Sequence, residues 1–197
     1  MARQPAVTKE KLIDAAVTTI ARYGLRKSTL EDIGKAAGVS KAAVLYHFHS
    51  KEELIAAVVE QEYDRFFREL RDALAHETTA EGKLRVFGLG RFQYIKDRLL
   101  AYGDVTKEIL ESVMPMVREC LARRREEELG LLRGILADGM RSGEFAPGDP
   151  DLIAVAAMAA LMGLYDAFLQ YGRESRIDEG LEQLFRLLMN GLRRRDA

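Results

Sequence analysis

Residues 29–51 read TLEDIGKAAGVSKAAVLYHFHSK, and this stretch decides the fold. Ile33, Ala36 and Ala37 recur at helical spacing, Gly38 lets the backbone turn, and Ser40 stands where a second short helix needs an N-cap. Ala36 and Ala37 are small where two helices must cross closely, and Val39 is a candidate core plug between them. The spacing predicts a helix, a turn at Ala37–Gly38–Val39, and a second helix over about Ser40 to Phe48. That is helix-turn-helix geometry, in which the second helix can lie in the major groove of DNA. Lys41, Ala42 and Ala43 fall on its first turn, where base edges would be. Tyr46 and His47 come at its far end, suited to phosphate oxygens, and Lys51 adds a further anion-seeking group.

The flanking sequence completes a compact helical unit. Leu12, Ala15, Ala16, Ile20 and Tyr23 form one apolar stripe, with Thr8 as a cap before it and Gly24 as a candidate left-handed residue after it. Ser28–Thr29–Leu30–Glu31 and Ser50–Lys51–Glu52–Glu53 both fit a capping box. Lys9, Arg26, Lys27 and Lys35 add positive charge to the same unit. Residues 1–51 hold nine Lys and Arg against four Asp and Glu, a net +5, while residues 52–197 carry a net −6. The formal charge of −1 therefore hides a basic first quarter, which suits an anionic partner, and an acidic remainder.

Beyond residue 76 the helical pattern lengthens and no alternating strand pattern interrupts it. Helices are expected over about 80–100, 104–114, Pro115 to about Met140, 150–171 and 177–193, with Pro115 read as the first turn of a new helix or a kink. Asp149–Pro150 is a cap followed by a first-turn proline. The uncharged run Leu152–Tyr165 is fourteen residues long, short of the ~20 that a bilayer span needs, and reads as a buried or interface helix.

At 197 residues, 48% hydrophobic and 31% charged, the chain is too apolar for disorder and too charged for a membrane bundle. Its single cysteine excludes an internal disulfide framework, and no apolar leader opens the sequence, so a reducing cytoplasm is the expected setting. The expected fold class is all-α. A three-helix helix-turn-helix DNA-binding domain (8–68) precedes a helical bundle (69–197) for ligand binding and dimerisation.

The stretch resembles the TetR family of transcriptional regulators. The residues that carry the likeness are Thr29–Leu30–Glu31–Asp32–Ile33, Ala36–Ala37–Gly38–Val39–Ser40, Tyr46–His47–Phe48 and Lys51–Glu52–Glu53–Leu54, within a match over about 8–60. The resemblance implies a homodimer reading two half-sites of a palindromic double-stranded DNA operator, most simply as a repressor, and a small-molecule effector that releases it. It implies phosphate contacts from Thr29, Tyr46, His47 and Lys51, with Ser40, Lys41 and Ala42 in the groove. Ala43 and Leu45 are apolar where many relatives are polar, which shifts readout toward thymine methyls or DNA shape.

Other motifs have plainer readings. His47 and His49 stand two apart and share no helical face, so no metal site is expected. Cys120 reads as a small core residue, Arg123–Glu128 as a solvated helix face and Arg193–Arg195 as a frayed tail. No catalytic set, phosphate loop, cofactor motif or membrane partner is legible. For a ligand pocket the candidates are Phe67, Phe87, Arg91, Phe92, Leu110, Met114 and Val117. Arg91 sits on an otherwise apolar stripe, and either pairs with a nearby Glu or fixes an anionic group of an apolar effector such as a fatty acyl compound or a drug. The competing functions are a helical small-molecule binding protein or enzyme without a DNA role, and a regulator that uses the motif for a protein partner. Both leave the basic unit unexplained.

Overall fold

Short polar side chains set the ends of the first helices. In the computed structural model of the protein, which describes residues 8–101, 107–171 and 177–193, helix α1 (Lys9–Tyr23) is capped by Thr8, whose side chain accepts from the Lys11 N–H. Helix α2 (Leu30–Ala37) starts one residue later than expected. Thr29 is the cap, and it forms a reciprocal capping box with Asp32. Ser28 is buried instead, and its hydroxyl lies 2.7 Å from the Gly24 carbonyl and 3.3 Å from that of Thr19, closing the turn between the helices. Gly24 does take a positive φ of 81°, but with ψ of 155° it lies outside the left-handed helical region, in backbone space that only glycine occupies readily. Helix α3 (Lys41–His47) is capped by Ser40 and helix α4 (Lys51–His76) begins after Ser50.

The chain divides into two compact units, Met1–Arg65 with Asp97–Ala122, and Phe66–Lys96 with Arg123–Ala197. The segment 97–122 thus falls with the N-terminal unit, where the sequence reading assigns all of 69–197 to one domain. In the first unit α1, α2, α3 and the start of α4 enclose one core. Leu12, Ala16 and Ile20 of α1, Ile33 and Ala37 of α2, and Val44 of α3 meet Phe48, Leu54 and Val58 there. Val39 packs at its edge, half-buried.

The close crossing in the helix-turn-helix is made by Gly34. A Cβ on Gly34 would stand 2.9 Å from the Val39 carbonyl oxygen and 3.3 Å from a methyl group of Val44. Ala36, expected at this crossing, faces solvent, and Ala37 is the buried alanine of the pair. Gly38 has the left-handed conformation that the turn needs, φ 75° and ψ 30°.

The second unit contains the rest of α4, helix α5 (Ala80–Ala101) up to Lys96, the later part of α6 (Lys107–Ser142), α7 (Pro150–Tyr171) and α8 (Ile177–Leu192). Helix α6 runs from Lys107 to Ser142 through Pro115, so of the two expectations there, a new helix or a kink, the new helix is not found. The Asp149 carboxylate caps α7, accepting from the N–H groups of Asp151 (2.9 Å) and Leu152 (3.1 Å). Glu144 reaches across to cap α5, accepting from Ala80 at 2.8 Å. Among the described residues the only β pairing is an isolated bridge between Phe145 and Arg193. Arg193 also lies 2.8 Å from Glu81, so the start of the expected frayed tail is held in place. No described helix is long and apolar enough to cross a membrane. Helix α7 buries Ala154, Met158 and Leu161 and exposes Leu152 and Val155.

The Gly34 crossing carries a direct consequence. Backbone cannot yield as a flexible side chain can, so Gly34→Ala should push α2 away from the turn and cost about 1–3 kcal/mol. Denaturant unfolding of Gly34→Ala beside Ala36→Ser, a change on the exposed face, would show a loss confined to the glycine variant. Equal stability of the two would contradict the crossing.

Candidate nucleic-acid interface

Helix α3 has seven residues and is held by one face. Val44 is fully buried and Phe48, its C-cap, nearly so, which turns Lys41, Ala42, Leu45 and Tyr46 outward. Tyr46 is 83% exposed, an unusual state for a large aromatic side chain with nothing to stack on but its neighbour. Its ring meets that of His47 edge-on, with centroids 5.2 Å apart. Ala43 and His47 are half-buried at the margins of this face. The residues expected in a groove, Ser40, Lys41, Ala42, Ala43 and Leu45, and two of those expected on phosphate, Tyr46 and His47, are thus brought together on one short helix and its cap.

The remaining two are occupied elsewhere. The Thr29 hydroxyl lies 2.6 Å from the Asp32 carboxylate and accepts from the Asp32 N–H at 3.1 Å. A hydroxyl has a single proton, and here Asp32 takes it. Those Thr29 contacts hold the Asp32 carboxyl below the ordinary carboxylate range. The Lys51 ammonium donates to the Leu25 carbonyl at 2.6 Å, with the Arg26 carbonyl at 3.4 Å. Burial pushes Lys51 below the usual lysine range. His49 is paired with Glu53, which accepts its backbone N–H at 2.7 Å and faces the ring nitrogen at 3.0 Å.

In the second unit a cavity of about 420 Å³ lies among α5, α6, α7 and α8. Its walls include Leu84, Phe87, Leu132, Leu161, Leu181, Leu184 and Phe185, and among the described residues no charged side chain lines it. Gly88, Ala156, Ala157, Ala160 and Gly191 leave the room that larger residues would fill. Of the pocket candidates, Phe87 lines this cavity. Phe67 and Phe92 are buried away from it, and the side chains of Leu110, Met114, Val117 and Cys120 lie outside the described residues. Arg91 is committed to Glu128, whose two carboxylate oxygens are each 3.1 Å from its Nε. Glu128 is 1% exposed, so the run Arg123–Glu128 is not uniformly a solvated face. An arginine on an apolar stripe needs a buried acid opposite it, and this was the signal for Glu128. The α7 and α8 walls were hidden in sequence because apolar stripes do not say which neighbour they face.

A short helix anchored on one side, presenting a lysine and an exposed tyrosine on the other, within a first 51 residues of net charge +5, defines a helix-turn-helix transcriptional regulator. Residues 12–58 match the family model of bacterial regulatory proteins, tetR family. The repressor KstR2 of Mycolicibacterium smegmatis is 29% identical over 154 residues, covering 76% of this chain and 74% of its own. The fatty acid metabolism regulator protein of Bacillus subtilis is 29% identical over 139 residues, covering 70% of this chain and 71% of its own. Among solved structures, the fatty acid degradation regulator FadR from Bacillus halodurans superposes with a TM-score of 0.69 at 26% identity, over 99% of this chain and 100% of that one.

The Thr29–Asp32 box ties the interface to pH. Because the folded carboxyl titrates below its ordinary value of 3.8, the stabilisation is present above that value and is lost as pH falls through the lowered one. Helix content measured by circular dichroism down an acid titration should therefore fall in wild type with a component from Asp32 that is missing in Asp32→Asn. That variant should also be less stable than wild type at neutral pH. Indistinguishable titrations would remove the box from the acid response.

Proposed function

We propose that the protein is a dimeric, ligand-responsive repressor that binds a palindromic operator and leaves it when a fatty acyl compound occupies the second unit. The observation that carries the DNA reading is the outward face of α3. Lys41 and Tyr46 are fully presented, while Val44 and Phe48 anchor the opposite side, the arrangement that a groove-inserted helix requires. Lys41, Tyr46 and His47 hold phosphates and base edges, and Ala42, Ala43 and Leu45 supply apolar contact to the groove floor. Residues 8–68 carry the DNA-binding role and 69–197 the ligand and dimer roles. Two-fold pairing of α7 and α8 as a four-helix bundle covers Leu152, Val155 and Leu187, which are 70%, 51% and 69% exposed in the single chain.

The effector reading rests on the cavity. A wall of leucine, phenylalanine, alanine and glycine has nothing to offer a polar group and suits a hydrocarbon chain. A relative named for fatty acid metabolism supports the same class.

The decisive experiment is fluorescence anisotropy with duplex DNA from upstream of the gene, at several salt concentrations, with light scattering on the same preparation. A dimer with sequence-selective binding that weakens steeply with salt is expected. Replacing Lys41, Tyr46 and His47 by alanine together should remove ~1–3 kcal/mol per contact. Binding unchanged by the triple replacement, or a monomer at micromolar concentration, would overturn the reading. For the effector, long-chain acyl compounds should raise the melting temperature of wild type and release its DNA. Ala157→Phe, which fills the cavity, should abolish both effects. An undiminished shift in that variant would place the ligand elsewhere.

A further inference from the structure

The cations of the first unit are not equally available. Lys35 is paired with Glu31 at 2.9 Å, and the Lys9 ammonium lies over the Phe48 ring, 5.5 Å from its centroid. Arg26 and Lys27 differ. Both are exposed on the turn between α1 and α2, and among the described residues neither side chain has a hydrogen-bond or ion-pair partner. They come three and two residues before the Thr29 cap of α2.

That turn is held from two sides. From α1, the Gly24 N–H donates to Ile20 at 2.8 Å, and Ser28 closes back on Gly24. From α4, the Lys51 ammonium donates to the Leu25 carbonyl and approaches that of Arg26. Moving Lys51 onto a phosphate would strip both contacts and leave a part-buried carbonyl without its donor. Lys51 is half-buried, and the loss of solvation is what depresses its pKa. A lysine reaching freely for DNA has neither property.

We propose that Lys51 acts in DNA binding as a positioning residue, a clasp on the α1–α2 turn, and that Arg26 and Lys27 on that turn are the groups that meet phosphate. The inference rests on the reading of this unit as DNA-binding. It adds two contacts that the helix-turn-helix motif does not name, and it moves Lys51 from the surface of contact to its support. Arg26 can take a phosphate bidentately, and Lys27 as a point charge.

The test is a double-mutant cycle on the full-length dimer with the same upstream duplex, comparing wild type, Lys51→Met, Arg26→Ala with Lys27→Ala, and all three changes together. Each phosphate contact contributes about 0.9 to the slope of log affinity against log salt, and the dimer carries each residue twice, so the Arg26/Lys27 variant should lose about 3.6 of slope. Lys51→Met should weaken binding in the wild-type background. It should change affinity by less than about twofold once Arg26 and Lys27 are gone, because what it positions is absent. Hydrogen exchange without DNA should show faster amide exchange at residues 25–28 in Lys51→Met. A direct phosphate contact would instead give an additive cycle, with a further slope loss of about 1.8 from Lys51→Met, two contacts per dimer, in both backgrounds. That result overturns the clasp, as does an unchanged slope in the Arg26/Lys27 variant, a surface change that keeps the test open if Lys51→Met folds poorly. If wild type binds no duplex in a salt-dependent way, the repressor reading fails with it. If wild type binds and the cycle is additive, only the clasp fails.

Discussion

A helix of seven residues does not stand by itself in water, where isolated helices shorter than about 12–15 residues are marginal. Helix α3 exists because the rest of the N-terminal unit holds it: Ser40 caps its first turn, Val44 and Phe48 bury its inner side, and the backbone of α2 at Gly34 lies against the turn that delivers it. Most of α3's internal stabilisation is spent on one face, which leaves the other for whatever the protein reads. An exposed Tyr46 and an exposed Leu45 are tolerable there because the anchoring does not depend on them.

The same economy governs charge. A net +5 over the first 51 residues is an average over groups with different fates. One lysine is neutralised along its own helix, one lies over an aromatic ring, one is turned inward to hold a loop, and Arg26, Lys27 and Lys41 stay in solvent without ion-pair partners among the described residues. Electrostatic attraction to a polyanion is shared by all of them at long range, but contact belongs to those with nothing closer to bind. In the second unit the opposite solution appears. Arg91 and Glu128 are buried against each other, and the described side chains that line the cavity of the same unit carry no charge.

Local chemistry was legible residue by residue. Thr8, Ser40 and Asp149 cap the helices their spacing assigns to them, since a cap needs only its own short side chain and the next three backbone amides. Where two caps competed, at Ser28 and Thr29, spacing failed to choose, because the choice was made by burial of Ser28 under Thr19 and Gly24. Pro115 shows the same limit from another side. Proline weakens a helix locally, yet α6 continues through it.

The sequence by itself determined the all-helical class, the position of the helix-turn-helix, its polarity and the concentration of positive charge around it, because caps, periodicity and glycine turns act over four or five residues. Only the tertiary structure decided that the close crossing falls on Gly34 and not Ala36, that Lys51 bonds a turn 25 residues earlier, and that Glu128 is buried opposite Arg91. Each of these pairs is distant in the chain, and a side chain's partner depends on which surface is brought to it. A periodic pattern states that a face is apolar or charged; packing alone selects what it meets.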